Sequence, residues 1–533
     1  MQTTRPLGPL GETFFACGSE YSHGKLDMMS CMVTVRLSLV KPLTTATVGA
    51  IYNQVTARHP LLHARVIDQT VEVMPTQPDI DFSNVATAGP PVSDEELEKM
   101  WMENLDVGFL LNESFRWRLI ILSDVASSQL VQIIMTCDHT LSDGVSCVAI
   151  LQQVLLVLMS TCGDPKAVGH PSGKRQRTPS ADWLPSQQQR LPLLPSASSL
   201  VRSPAANMAA APIPENEAAP VQPSNGVLPS AADHLVPATA VGEDGAETAR
   251  VQRTTVRALG AGELAALRAA CGEQGCSVTA ALAVSMLAAL ANVVTVDHGG
   301  WMPAGSHPSR PLLSCATDGR PVVCSVPVSL RRFYDEPISD EHVGSHFGMV
   351  KIIFDIDSVV APPHASAPPH ASALDDHTAA TTAGGTSGSD STAVVCKMLW
   401  AAARAWKERL GAGIAAGEHL ELATAPPPKV EEVRTMLRAA DRGLGRTKAL
   451  TVSNRGAFEL PCDELLSFRH TNNITAGPGP TLQLNAVTLN GVLYATLTYV
   501  DPAIAHELGQ AVADALLANL QALSRAGGTC ACT

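Results

Sequence analysis

The sequence predicts an α/β protein of the mixed (α+β) kind, folded as two lobes. Three observations carry this. Segments with strand alternation and segments with helical spacing follow one another in both halves of the chain. The stretch 163–250, dominated by Pro, Ala, Ser and Gln, has apolar residues without periodicity and separates the halves as an expected disordered linker. At 533 residues the chain is long enough for two or three domains and a large core.

The first lobe is expected over residues 1–162. Cys31 to Leu39 sets Val33, Val35, Leu37 and Leu39 against Thr34, Arg36 and Ser38, the alternation of a strand. Val48, Ile51, Tyr52 and Val55 recur at helical spacing, and Pro60 ends that helix. Ser93 followed by Glu96 is a capping-box start for a helix through Leu105. Phe115 to Leu122 alternates apolar and basic side chains, as a half-buried strand does. Leu130 to Cys137 is a mostly apolar run rich in β-branched residues, as in a central strand buried on both faces. Val145 to Met159 reads as a buried helix.

Between that central strand and that helix lies His139-Thr140-Leu141-Ser142-Asp143-Gly144, the pattern His-x-x-x-Asp-Gly. An imidazole, with an unperturbed pKa of about 6.5, takes and returns a proton near neutral pH. Glycine lets the loop bend sharply and hold the ring in place. Strand, histidine loop and helix together present a base from a rigid frame.

The second lobe is expected over 251–529. Glu263 to Cys271 is a short helix, and Gly272 to Gly275 a break. Val278 to Val296 carries no charge over nineteen residues, just long enough to span a bilayer. Its Ala and Val content and interior Ser and Asn point instead to a core helix capped by Ser277. A low-complexity insertion over 355–392 contains the repeat APPHAS-APPHAS; His364, His370 and His377 there read as compositional drift rather than metal ligands. Helices are expected around 394–410 and 430–442, a type I′ hairpin about Asn490-Gly491, and a last helix over 503–524.

The net charge of −13 argues against a nucleic-acid binder, since phosphate contacts need clustered Lys and Arg. It leaves room for an anionic ligand on a local basic patch. Thirteen cysteines, an odd number without paired metal-ligand spacing, point to reduced thiols in a cytosolic or plastid-like compartment and to no metal site. No signal peptide and no transmembrane segment are expected.

The histidine motif resembles that of the chloramphenicol-acetyltransferase-like superfamily. Alcohol O-acetyltransferases, plant acyl-CoA-dependent acyltransferases, mycobacterial polyketide-associated acyltransferases and peptide-synthetase condensation domains belong to it. Four further segments are similar and occur in the family's order: RPLGPLGETFF near the start, Leu43 to Val66, Pro327 to Arg331, and Val452 to Gly456 (VSNRG). The resemblance implies two lobes, each a mixed β-sheet with flanking helices, and an active-site channel between them. It implies that His139 is the general base and that Asp143, followed by Gly144, turns away to pair with a second-lobe arginine, Arg331 best and Arg332 as the alternative.

Ser453, Asn454 and Gly456 either position the thioester or form an ordinary turn. Arg434, Arg438, Arg442, Arg446, Lys448 and Arg455 either attract the phosphates of coenzyme A or line a solvated helix face, which the spacing of the first three favours. Many relatives carry a second histidine where this chain has Asp138, which argues against the condensation branch. The implied function is acyl-CoA-dependent O-acyl transfer to a small alcohol, with acyl-CoA as cosubstrate and no bound cofactor. The alternatives are a condensation-type acyltransferase fed by an acyl carrier protein, and a non-catalytic relative that binds a ligand.

Overall fold

The structure, a computed structural model, describes residues 4–6, 28–67, 70–74, 85–109, 115–124, 129–163, 251–297, 300–303, 322–334, 337–354, 388–424, 446–474, 479–501 and 504–526. The first half supplies β1 (Thr4–Pro6), β2 (Met28–Arg36), α1 (Thr45–Arg58), β3 (Ala64–Ile67), β4 (Thr70–Val73), β5 (Ala86–Gly89), α2 (Asp94–Val107), β6 (Trp117–Asp124), β7 (Leu130–Asp138) and α3 (Gly144–Cys162). The second half supplies β8 (Val251–Leu259), α4 (Ala261–Glu273), α5 (Val278–Val293), β9 (Val294–Asp297), β10 (Gly300–Pro303), β11 (Val322–Ser329) and β12 (Phe347–Phe354). It continues with α6 (Gly388–Ala416), α7 (Glu418–Thr424), β13 (Arg446–Phe458), β14 (Glu464–Asn472), β15 (Gly479–Leu489), β16 (Val492–Asp501) and α8 (His506–Ala526).

Two mixed sheets organise these elements. The first has the order β14-β2-β7-β6-β5, the second β12-β11-β13-β15-β16-β8. In the first, β7 is central and buried almost throughout. Its alternation serves two layers: Ile133 and Met135 pack with Ile51 and Tyr52 of α1 and Ile150 and Leu151 of α3, while Ile134 packs with Leu97 and Trp101 of α2. Caps set the helix starts. Thr44 accepts from the Thr47 amide and Ser93 from the Glu96 amide. Among the described residues, α3 is the helix long and apolar enough by itself to cross a membrane, and 67% of its apolar window is buried.

In the second sheet, helices α4, α5, α6 and α8 share one core with the strands. Asn490 (φ 49°) and Gly491 (φ 83°) both lie in the left-handed region, the turn that the Asn-Gly pair favours between β15 and β16. The expected core helix through Val296 stops at Val293, because the β-branched run Val294-Thr295-Val296 pairs antiparallel with β10.

Two expectations about boundaries need correction. The segment 251–529 does not all belong to the second lobe: β14 leaves it and pairs antiparallel with β2 at the edge of the first sheet. Phe468 fills the first lobe's core, and Arg36 pairs with Glu464 at 3.0 Å. The insertion expected over 355–392 ends earlier, since α6 begins at Gly388; its Gly-Ser-Asp-Ser-Thr start has no apolar periodicity to reveal a helix. The linker 163–250, the three insertion histidines and the helix expected over 430–442, with Arg434, Arg438 and Arg442, lie outside the described residues.

Candidate active site

Strand β7 ends in Asp138, fully buried, and this residue shapes the loop that follows. Its Oδ1 accepts from the Thr140 amide at 2.8 Å, and its carbonyl accepts from Ser142 Oγ at 2.5 Å. Arg116, itself buried, stands 3.5 Å from Asp138 Oδ2. Burial pushes the Asp138 carboxyl up, against the pull of Arg116.

His139 is 6% exposed at the seam between the lobes. Its Nδ1 lies 2.9 Å from the Ser142 carbonyl. A carbonyl only accepts, so Nδ1 carries the proton and Nε2 the lone pair. The ring of Phe347, from β12 of the second sheet, sits 5.5 Å away between centroids. Burial holds the imidazole below its ordinary pKa, so it is neutral near pH 7.

Asp143 caps α3 by accepting from the Ser146 amide at 2.8 Å. From the second lobe, Arg331 Nη1 donates to Oδ2 at 2.7 Å and Nη2 to Oδ1 at 3.0 Å. The His346 amide adds a bond to Oδ2 at 2.9 Å. Burial alone would raise this carboxyl, but Arg331 overrides it and holds Asp143 well below the usual carboxylate range. Ser146 Oγ stands 2.8 Å from Asp143 Oδ1 and 2.9 Å from the Gly344 carbonyl, and its single proton is donated to one of these acceptors at a time. Arg332 is exposed, its guanidinium stacked 4.7 Å over Phe333.

Arg455 reaches the same loop from β13. Its Nε lies 2.3 Å from where a Cβ on Gly144 would be, so any side chain there would force the Arg455 guanidinium to shift. Its Nη2 lies 2.5 Å from His470 Nδ1 and 3.5 Å from Asn485 Oδ1. Since the guanidinium donates, the His470 ring accepts at Nδ1. Burial, reinforced by the Arg455 charge, lowers His470 to about 4 and keeps it neutral.

The VSNRG segment is a strand with a bulge rather than a turn. Ser453 stands opposite Asn485, and the register with β15 shifts between Asn454 and Ala457 around Gly456, whose φ is +97°. Asn454 is held by structural bonds, donating to Thr279 Oγ1 at 3.0 Å and accepting from the Gly456 amide at 3.2 Å. Arg446 and Lys448 stand at the far start of β13, opposite Gly479 and Pro480. At about 3.3 Å per residue, Lys448 is roughly 20 Å along the strand from Asn454, so the structure does not gather this pair at His139. Sequence reasoning missed Ser146, His470 and the local role of Arg455; the signal for the last was its place inside VSNRG.

No protein-family model matches the sequence, and no curated protein does. Solved structures do match. A trichothecene 15-O-acetyltransferase from Fusarium sporotrichioides, TRI3, superposes with a TM-score of 0.59 at 12% identity, covering 98% of this chain and 95% of that one. This chain has the chloramphenicol-acetyltransferase-like fold. Polyketide synthase associated protein 5 from Mycobacterium tuberculosis matches at TM-score 0.51 and 12% identity, covering 96% of this chain and 97% of that one. The first condensation domain of the CDA synthetase matches at 0.50 and 12%, covering 99% and 97%. The fold places the histidine loop at the junction of the two lobes, where Arg331, Phe347 and Arg455 of the second half meet it.

Proposed function

We propose that the protein is an acyltransferase that moves an acyl group from an acyl-CoA thioester to an alcohol, with His139 as general base. One observation carries the reading. A neutral, buried imidazole is fixed through Nδ1 on the Ser142 carbonyl, beside second-lobe residues, with its loop locked by the Asp143–Arg331 pair.

In the proposed reaction, Nε2 of His139 removes the hydroxyl proton as the acceptor oxygen attacks the thioester carbonyl. The tetrahedral adduct collapses by breaking its C–S bond, and the thiolate leaves with the proton returned from His139. Ester and free thiol are the products, and the enzyme ends as it began. Asp143 stays ionised throughout and takes no proton, since Arg331 engages both its oxygens. The likeness to an O-acetyltransferase supports an alcohol acceptor.

The test is thiol release from acyl-CoAs of several lengths with a panel of alcohols, for wild type and His139→Ala. Release that needs both substrates and falls at least 100-fold in the variant supports the reading. Equal rates remove it. Turnover with carrier-loaded acyl groups but not with CoA esters would move the donor assignment to an acyl carrier protein.

A further inference from the structure

Helix α4 ends in a Schellman motif, and both of its signature bonds are present. The Cys276 amide donates to the Cys271 carbonyl at 2.9 Å, and the Gly275 amide to the Gly272 carbonyl at 3.2 Å. Gly275, at φ +66°, is the left-handed residue that reverses the chain. This motif sets the side chain three residues before the cap against the one two residues past it, and apolar groups ordinarily meet there. Here both positions are cysteine, and the two free thiols are hydrogen-bonded to each other. Gly272, Glu273 and Gly275 of the intervening turn are exposed. Cys276 is the outer thiol, 9% exposed against 3% for Cys271. Two cations of α6 stand over the turn: Lys407 Nζ donates to the Gly275 carbonyl and Arg404 Nη1 to Gln274 Oε1, each at 2.8 Å. The bond from Cys271, then Lys407 and Arg404, hold the Cys276 thiol below its ordinary range against the opposing effect of burial. The same bond and burial push the Cys271 thiol up.

We propose that Cys271 and Cys276 form a reversible dithiol–disulfide site, oxidised by small disulfides of the glutathione type. The Cys276 thiolate attacks one sulfur of the external disulfide, whose S–S bond breaks and releases a first thiol. Cys271 then loses its proton and attacks Cys276 Sγ, and the mixed disulfide breaks to release a second thiol. Two protein thiols are oxidised to one disulfide, and one external disulfide is reduced to two thiols. The closed bond ties the end of α4 to the entry of α5. Ser277, the next residue, caps α5 by accepting from the Ala280 amide at 3.2 Å, and Thr279 holds Asn454 beside Arg455. Cys31, Cys137 and Cys147 also neighbour one another, but in the first lobe's core between α3 and the sheet. None of those three is more than 1% exposed, so a dissolved disulfide does not reach them.

The experiment holds the folded full chain in graded ratios of oxidised to reduced glutathione, blocks the remaining thiols by alkylation and reads each cysteine by peptide mass spectrometry. Wild type is expected to gain a Cys271–Cys276 cross-link that dithiothreitol removes, while Cys31, Cys137 and Cys147 remain thiols. Cys271→Ser lacks the second thiol and should accumulate a glutathione adduct on Cys276. Cys276→Ser should lose the cross-link and leave Cys271 unmodified. Thermal melts check that both variants keep the fold, and the wild-type map decides the matter without them. A cross-link absent at every ratio, or formed only in urea, overturns the proposal. So does oxidation of the first-lobe trio ahead of this pair, or an adduct on Cys271 in Cys276→Ser with none on Cys276 in Cys271→Ser.

Discussion

Arg331 grips both oxygens of Asp143 across the lobe seam, Nη1 at 2.7 Å and Nη2 at 3.0 Å, with both side chains nearly inaccessible to water. A buried pair of this kind contributes little net stability, but halving it strands a charge. Arg331→Met should therefore cost about 3–5 kcal/mol in urea unfolding. The double variant Arg331→Met with Asp143→Leu should cost clearly less than the sum of the two single changes. Additive losses would show that the pair is not coupled.

His139→Ala should lower kcat by about 10²- to 10⁴-fold, the usual contribution of a positioned general base. The ring's contacts include the Ser142 carbonyl and the tilted ring of Phe347, so the melting temperature should move far less than the rate. Parallel rate and thermal-melt measurements separate the two. A large fall in melting temperature with a proportionate fall in rate would point to a structural histidine.

Burial lowers the His139 pKa, so the acid limb of kcat/KM should have its midpoint below the 6.5 or so of a free imidazole. Arg455 also presses it downward, and Arg455→Gln should shift the midpoint up. The check is a pH–rate profile of both proteins. A midpoint above 7 would contradict the buried placement.

Stability should fall on mild acidification. Burial lowers His59 to about 3 and His470 to about 4, so both are neutral in the fold yet titrate near 6.5 when unfolded. Their contribution is complete above that unfolded value and is lost as pH drops from about 6.5 toward the folded values. Asp143 acts in the same direction at lower pH, its contribution being present above about 3.9 and lost only as pH falls below it. Thermal melts from pH 8 to 4.5 should show the histidine loss alone, and a flat profile would refute it.

Gly348→Ala should be severely destabilising, because its Cβ would land 1.6 Å from the backbone carbonyl oxygen of His419 in α7. Gly411→Ala, in an open helical position of α6, should stabilise by about 0.5–1 kcal/mol through helix propensity. Equilibrium unfolding of both variants tests the contrast.

Local patterns made much of this fold legible. β7 announced itself because burial on both faces favours a mostly apolar, β-branched run, and the β15–β16 hairpin because Asn490-Gly491 supplies the backbone its turn needs. The Asp143–Arg331 contact came only with the family resemblance, since residues 188 apart leave no periodic trace of their meeting. The location of β14 was hidden for a related reason: alternation says that a segment is a strand, not which sheet will accept it. Arg455 was read as one charge in a basic cluster. Only the packing of β13 on α3 shows that it lies over Gly144.

The transfer of β14 to the first sheet bears on how the protein is made. β2 leaves the ribosome early, and Glu464, which it pairs through Arg36, follows 428 residues later. At about 5–20 residues per second, translation keeps that edge waiting for roughly 20–85 s. During that interval β2 is an open hydrogen-bonding border on an apolar lobe, the kind of surface on which nascent chains aggregate. A first lobe expressed as residues 1–162 alone keeps that border permanently, and its solubility is set by what is missing rather than by anything it contains.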